Sequence, residues 1–218
     1  RVVYDRAGSS IATAKRSEFN WPALLKGVDV FYFSGITPAV SDELAGAVKD
    51  ALTYCKRHGI TVVSDLNYRG KMWTPEKARS VMRGLMPYID VCLANDEDFE
   101  AALGIRAFDG DMSRGIEQID SFRAGMKKIT EEFPNCKTVA SILRNIHSVE
   151  ESDWMGILLQ GGKFYESPVH SVHVMEGVAS GDAFGAALIH GLLHFKDPQE
   201  SIDFAIAASV LKLMIGGD

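Results

Sequence analysis

The sequence predicts an α/β fold, a mostly parallel sheet with helices on both faces, and three observations predict it. From residue 28 onward, short runs that are apolar on both faces alternate with longer segments of helical period. Strands buried on both faces read this way, and repeated strand, helix, strand order makes neighbouring strands parallel. Capping and turn residues fall at the joints between the two patterns. With 218 residues, 46% of them apolar and 24% charged, the chain is long enough for one continuous core.

Taken in order, the strands are VDVFYF (28–33), ITVVSD (60–65), DVCLA (90–94) and TVASIL (138–143). Between them the period predicts helices over 41–58, opened by Ser41 and closed before Gly59, and over 75–86, with Thr74 as N-cap and Pro75 in the first turn. Further helices are expected over 96–103, with Asn95 suited to cap it, and over 115–133. The pattern then changes. GILLQ and KFYES flank Gly161-Gly162 and predict a hairpin, because glycine tolerates the positive φ that a two-residue turn needs. HSVHV (170–174) alternates like another strand. Helices over 182–193 and 198–215 are apolar nearly all round and should be buried, the second opened by Asp197, Pro198 and Glu200. No repeat, low-complexity stretch or linker divides the chain, so residues 1–218 read as one domain. The start at Arg1, directly in the β-like run RVVY, and the end at Gly-Gly-Asp suggest a piece of a longer protein.

A net charge of −6 and the absence of any Lys- or Arg-rich run argue against a nucleic-acid or anionic-membrane partner. Cys55, Cys92 and Cys136 are odd in number, far apart and set in apolar surroundings, which fits neither a disulfide framework nor a zinc site. With no apolar stretch of membrane-spanning length and no signal peptide in view, a reducing cytoplasm is the expected location. His190 and His194 share a helix face, but no third ligand accompanies them, so they are expected to pack at a helix end rather than bind metal.

The stretch GVASGDAFGAAL (177–188) joins a strand to a buried helix. Its small residues let the backbone N–H groups of Ala179, Ser180, Gly181 and Asp182 point outward together, where the helix dipole adds positive potential. This describes an anion hole with a carboxylate beside it. An acid so placed suits a general base that takes the proton of an alcohol as a phosphoryl group arrives. The alternative is that Asp182 caps the helix and the small residues serve close packing; the stretch alone leaves both open. A nucleophile elbow is a poorer match because Ser180 stands one place late, and Gly161-Gly162-Lys163 lacks the rest of a Walker A loop.

With EGVASGD (176–182), FSGITP (33–38), DLNYR (65–69), ANDED (94–98), the FYESP strand and AASVLK (207–212), the chain resembles the ribokinase-like (PfkB) carbohydrate kinases along essentially its whole length, and among them the 2-keto-3-deoxygluconate kinases. The resemblance implies a ribokinase-like fold and an ATP- and Mg2+-dependent kinase. Asp182 would be the base, with the N–H groups of Ala179, Ser180, Gly181 and Asp182 as the hole. Tyr4, Arg6 and Arg69 would contact the sugar acid, whose carboxylate a planar guanidinium can hold by two parallel bonds, and Asp218 would contact substrate hydroxyls. Asn95 and Asp98 would organise magnesium and phosphate through water. Arg144 would lie at the nucleotide, with His147 in the loop beyond it. The bland readings are a solvated edge for Tyr4 and Arg6, and the capping role for Asn95.

Several positions depart from the family pattern. Glu176 stands for Asp, Gly177 for Thr and Ala179 for Gly, and Asp98 is a methylene shorter than the usual Glu. If position 179 needs a positive φ, an alanine there is strained. The family's N-terminal Gly-Gly-Asn region and most of its lid are not in this sequence, residues 1–14 being the remnant of the lid and substrate-contacting strands, and 170–218 the anion-hole and catalytic region. The expected activity is transfer of the ATP γ-phosphoryl group to a primary hydroxyl of 2-keto-3-deoxygluconate or a close relative. Two alternatives stand beside it: a kinase for a neutral sugar such as fructose or ribose, and a catalytically impaired homologue that binds sugar or nucleotide. The resemblance also allows a homodimer through lid strands.

Overall fold

The computed structural model describes residues 8–217. In chain order the helices are α1 (Ser10–Thr13), α2 (Trp21–Leu24), α3 (Ile36–Val40), α4 (Asp42–His58), α5 (Pro75–Leu85), α6 (Asp98–Leu103), α7 (Ile119–Glu132), α8 (Ser180–His194) and α9 (Pro198–Leu213). The strands are β1 (Val30–Ser34), β2 (Thr61–Asp65), β3 (Val91–Leu93), β4 (Thr138–Ile146), β5 (Glu151–Gln160), β6 (Lys163–Glu166) and β7 (His170–His173).

β1 to β4 run parallel in sequence order, and β5 then turns antiparallel to β4 and carries both β6 and β7. The parallel half follows from its crossovers: a helix returns the chain from the end of each strand to the start of the next. The antiparallel half begins where the connections shorten. β5 and β6 are joined by Gly161 at φ +58 and Gly162 at φ +78, the left-handed pair that the hairpin reading required. β4 and β5 are longer than the apolar pattern indicated, because the mostly polar residues 144–146 and 152–154 continue the pairing from Arg144↔Trp154 to Ile146↔Ser152.

The helix signals worked as local chemistry predicts. The hydroxyls of Ser41 and Thr74 accept from Leu44 N and Lys77 N, Asp197 accepts from Gln199 N, and Gly59 closes α4 in the left-handed conformation. One core layer lies between the sheet and α4, α5 and α7, with Leu52, Met82, Phe99 and Phe122 fully buried. The other lies under α8 and α9, around Phe184, Leu188, Ile202 and Ile206. Each such side chain contributes about 1.5–3 kcal/mol by leaving water. At the end of β1, Gly35 is required by close approach, since a Cβ there would stand 1.9 Å from the carbonyl oxygen of Leu66. That contact brings the ends of β1 and β2 together under α8.

Candidate active site

A cavity of about 1070 Å³ opens where the carboxyl ends of β2, β3 and β4 meet the amino end of α8. Open α/β sheets bind ligands at this edge because the strand ends, the loops beyond them and the helix N-termini converge there. The loop after β2 supplies Asn67, Tyr68 and Arg69, and the loop after β3 supplies Asn95 to Asp98. Arg144 and Trp154 come from the β4–β5 pair, Phe108 to Gly110 and Met112 from the loop after α6, and Gly177 with Ala179 to Asp182 from the turn before α8.

That turn leaves the amino end of α8 open. Ala179 occupies the N-cap of α8 at φ +61 and has no side chain with which to cap it. Among the described residues, the N–H groups of Ser180, Gly181 and Asp182 find no protein acceptor; the first bond of the helix is Ala183 N to Ala179 O at 2.9 Å. A helix end left open toward a cavity is completed by an anionic ligand or water. Asp182 does not cap the helix, and its exposed carboxylate stands in the first turn facing the same cavity. The capping alternative for Asp182 is thereby removed.

Two buried carboxyls lie beneath. Asp65 ends β2 level with Leu93, which packs in the layer under α8, so its side chain is on the α8 side of the sheet. Burial, reinforced by the nearby carboxylates of Asp98 and Asp182, pushes Asp65 up to about 7 against the opposing pull of Arg69 and the Asn67 N–H. Its Oδ1 has no hydrogen-bond partner. Beside it, the buried hydroxyl of Tyr32 is also without a partner, and burial together with Asp65 and Asp182 raises its pKa. Asp98 is raised by burial to about 6, less than Asp65 because backbone N–H groups of Asn95 and Tyr68 bond its charged form.

The cavity's cations are differently held. Arg69 is exposed, bonded only weakly to the carbonyl of Tyr68 at 3.5 Å, and so has most of its donors available. Arg144 is fixed: it ion-pairs with Asp96 and lies over the ring of Trp154 at 5.2 Å. Backbone strain is concentrated here too. The non-glycine residues with positive φ among those described are Asn67, Asp96 and Ala179, and all three line this cavity. Strained backbone persists where surrounding structure over-determines it, commonly at functional sites.

Of the residues singled out in the sequence, Arg69, Asn95, Asp98, Arg144 and Ala179 to Asp182 converge on the cavity. Tyr4, Arg6 and Asp218 lie outside the described residues. Asn95 is not the N-cap of α6, a position taken by Glu97; its side-chain oxygen accepts from Ile142 N at 2.8 Å instead and joins the loop after β3 to β4. His147 is turned to Asp153 at 2.7 Å and is not part of the cavity wall. His190 and His194 meet in a tilted ring contact, and His190 packs against Phe195 and Phe204. No cluster of three or more metal-ligating side chains occurs among the described residues. Cys55, Cys92 and Cys136 are buried and free, and among the described residues no helix is long and apolar enough to cross a membrane.

Sequence reasoning missed Asp65 as a member of the site and Tyr32 as the buried hydroxyl beside it. The signal that could have found Asp65 is an acid ending a strand otherwise buried on both faces.

The model of the pfkB family carbohydrate kinases matches residues 1–214. A 2-dehydro-3-deoxygalactonokinase of Haloferax volcanii is 30% identical over 217 residues, which are 100% of this chain and 61% of that protein. Among solved structures, a 2-dehydro-3-deoxygluconokinase from Thermotoga maritima superposes with a TM-score of 0.91 at 40% identity, over 100% of this chain and 64% of that one. A PfkB family carbohydrate kinase from Listeria grayi gives 0.88 at 32% identity, again over 100% and 64%. The chain thus spans about three fifths of the length of these relatives. Matched by the family model over nearly its whole length, and carrying the open helix end and acid in one shared cavity, the chain belongs to the pfkB family of carbohydrate kinases.

Proposed function

We propose that the protein transfers the ATP γ-phosphoryl group to a primary hydroxyl of 2-keto-3-deoxygluconate or a close relative. The observation that carries this reading is the open N-terminus of α8, with Asp182 in its first turn, facing a cavity that Arg69 also lines. The names of the similar proteins, sugar-acid kinases for both a gluconate and a galactonate, support the substrate class.

Each group then has a task. Arg69 holds the substrate carboxylate, which orients the sugar with its hydroxyl toward Asp182. The carboxylate of Asp182 takes the hydroxyl proton as the oxygen attacks phosphorus. The N–H groups of Ser180, Gly181 and Asp182 take up the charge that develops on the transferred group, at no cost of reorganisation because the helix already fixes them. Arg144, held in place by Asp96 and Trp154, faces the nucleotide phosphates as a cation that cannot deprotonate.

Carboxylates outnumber guanidiniums on the wall, with Asp65, Asp96, Glu97, Asp98, Glu100, Asp109 and Asp182 against Arg69, Arg79 and Arg144. A site this acidic would repel a triphosphate and a sugar acid on its own. Its all-oxygen donor set, including the unpartnered Oδ1 of Asp65, fits Mg2+, which Asp65 and Asp98 would hold largely through water. Bound there, the ion would neutralise phosphate oxygens.

Coupled ADP release by the full-length protein, with ATP, Mg2+ and a panel of 2-keto-3-deoxygluconate, fructose and ribose, tests the reading. Turnover is expected with the sugar acid; silence across the panel overturns the kinase assignment. Asp182→Asn should lose about 10²- to 10⁴-fold in kcat while ATP still raises the melting temperature. A variant that kept most of its activity would remove Asp182 from the role of base.

A further inference from the structure

Tyr32 carries a hydroxyl that the empty fold does not use. It lies on β1 two residues before Ser34, which is level with Asp65 on β2, so Tyr32 and Asp65 share the face of the sheet that α8 covers. The ring packs under the start of α8: a Cβ on Gly185 would stand 3.6 Å from both Cε2 and Oη of Tyr32. Gly185 follows Asp182 by three residues, which makes the two neighbours on the helix surface. The hydroxyl oxygen is buried and has no hydrogen-bond partner. Leaving such a group unpaired costs stability, and phenylalanine would fill the same space without that cost. A second buried oxygen on this face, Oδ1 of Asp65, is unpartnered as well. One group is a donor and the other an acceptor. Burial raises the pKa of the Tyr32 hydroxyl and the Asp65 carboxylate raises it further, so the two groups already act on each other.

We propose that Tyr32 is a positioning residue for Asp65: in the loaded site its hydroxyl donates to the unpartnered carboxylate oxygen and fixes the orientation in which Asp65 holds Mg2+. The inference rests on the Mg2+-dependent kinase reading for what Asp65 holds. A carboxylate that holds a cation through water needs a fixed orientation, and one hydrogen bond from a neighbouring donor supplies it while leaving its other lone pairs free. Such bonds are often open before ligands bind and tighten in the loaded site. A hydroxyl kept for this purpose gives nothing to the empty fold, which accounts for its standing unpaired in a core position. Removing an outer partner of this kind typically costs about 10- to 100-fold in metal affinity or activity.

The test compares wild type, Tyr32→Phe, Asp65→Asn and the double variant in the full-length protein. Without ligands, the urea midpoint of Tyr32→Phe should equal or exceed that of wild type, because the substitution removes only an unpaired hydroxyl. At fixed ATP, the Mg2+ concentration giving half the maximal rate should rise about tenfold in Tyr32→Phe, with the sugar-acid KM moved by less than about twofold. In the Asp65→Asn background the same substitution should add less than about twofold, since it acts through the carboxylate. MgCl2 alone, without nucleotide or sugar, should raise the melting temperature of wild type by more than that of Tyr32→Phe. A lowered urea midpoint would make the hydroxyl a structural group, and an unmoved Mg2+ dependence would remove its link to the ion. Full additivity with Asp65→Asn would remove Asp65 as its partner, and each of these results overturns the proposal. If wild type turns over no sugar acid, the kinase reading fails instead, and the melting comparison decides: an equal rise in the two proteins, or none in either, overturns the role of Tyr32.

Discussion

Asp98 and Tyr68 are joined by a buried hydrogen bond in which the carboxylate Oδ1 accepts the backbone N–H at 2.7 Å. The other oxygen of Asp98 accepts Asn95 N at 3.0 Å, so one side chain at the head of α6 ties the loop after β2 to the loop after β3. Arg69 is the next residue along the first of these loops. Replacing Asp98 by Asn turns an amide donor toward one of the two N–H groups, and leaving a buried donor unsatisfied costs about 1–3 kcal/mol. Asp98→Asn is therefore expected to lower stability by that amount in urea denaturation and to raise the sugar-acid KM through Arg69. A loss below about 0.5 kcal/mol, the range of ordinary surface substitutions, would mean that the bridge is not what holds the loop.

The raised pKa of Asp65 makes a pH prediction of definite sign. Its folded value of about 7 lies above the ordinary carboxylate value of about 3.9 in the unfolded chain, chiefly because the ion is desolvated. Between those values the native state holds a proton that the unfolded chain releases, so stability falls as pH rises through the window. Asp65→Asn mimics the protonated form at every pH. The stability difference between the variant and wild type should thus grow in the variant's favour from pH 4 to pH 8, by at most about 4 kcal/mol. Urea midpoints at the two pH values measure it, and parallel curves would show that Asp65 titrates normally.

Much of this architecture was legible in the chain because local chemistry decides it. Strands buried on both faces showed as runs such as ITVVSD, and Ser41, Thr74 and Asp197 announced their helices through bonds made within three residues. The open end of α8 was legible for the same reason, since small residues before an apolar helix act through their own backbone. What stayed hidden depends on partners distant in sequence. Asn95 looks like a cap, yet its oxygen goes to Ile142, an acceptor role available only once β3 and β4 lie side by side. Arg144 meets Asp96 across 48 residues of chain. Asp65 ends a strand as many solvated acids do, and its burial comes from tertiary packing that the strand itself does not reveal. The polar ends of β4 and β5 lack the apolar alternation that marks a strand, and are ordered by pairing with each other.

Ala179 tests how much strain the cradle carries. At φ +61 its Cβ approaches the backbone, a conformation that costs an L-residue about 1–2 kcal/mol and glycine almost nothing. Glycine loses more freedom on folding, by about 0.5–1 kcal/mol, which offsets part of the relief. Ala179→Gly is expected to stabilise the protein by up to about 1 kcal/mol and to preserve ATP binding. Thermal denaturation of the two forms reads this directly; a destabilised glycine variant would mean that the alanine methyl packs usefully in the turn.

Arg69 offers a test of whether the substrate is acidic or neutral. Its guanidinium is exposed in the cavity and weakly engaged by the protein, so a ligand carboxylate need not displace an existing ion pair. A charge-assisted pair of parallel bonds is worth about 1.5–3 kcal/mol, which is about ten- to a hundredfold in kcat/KM. Arg69→Ala should impose that loss on 2-keto-3-deoxygluconate and leave a neutral ketose nearly unaffected. Arg69→Lys should recover only part of it, because an ammonium keeps the charge and loses the planar fork. Steady-state kinetics on both substrates make the comparison. Equal losses on the two would show that Arg69 serves the fold of its loop rather than the recognition of an acid, and the neutral-sugar kinase would become the better account of the cavity.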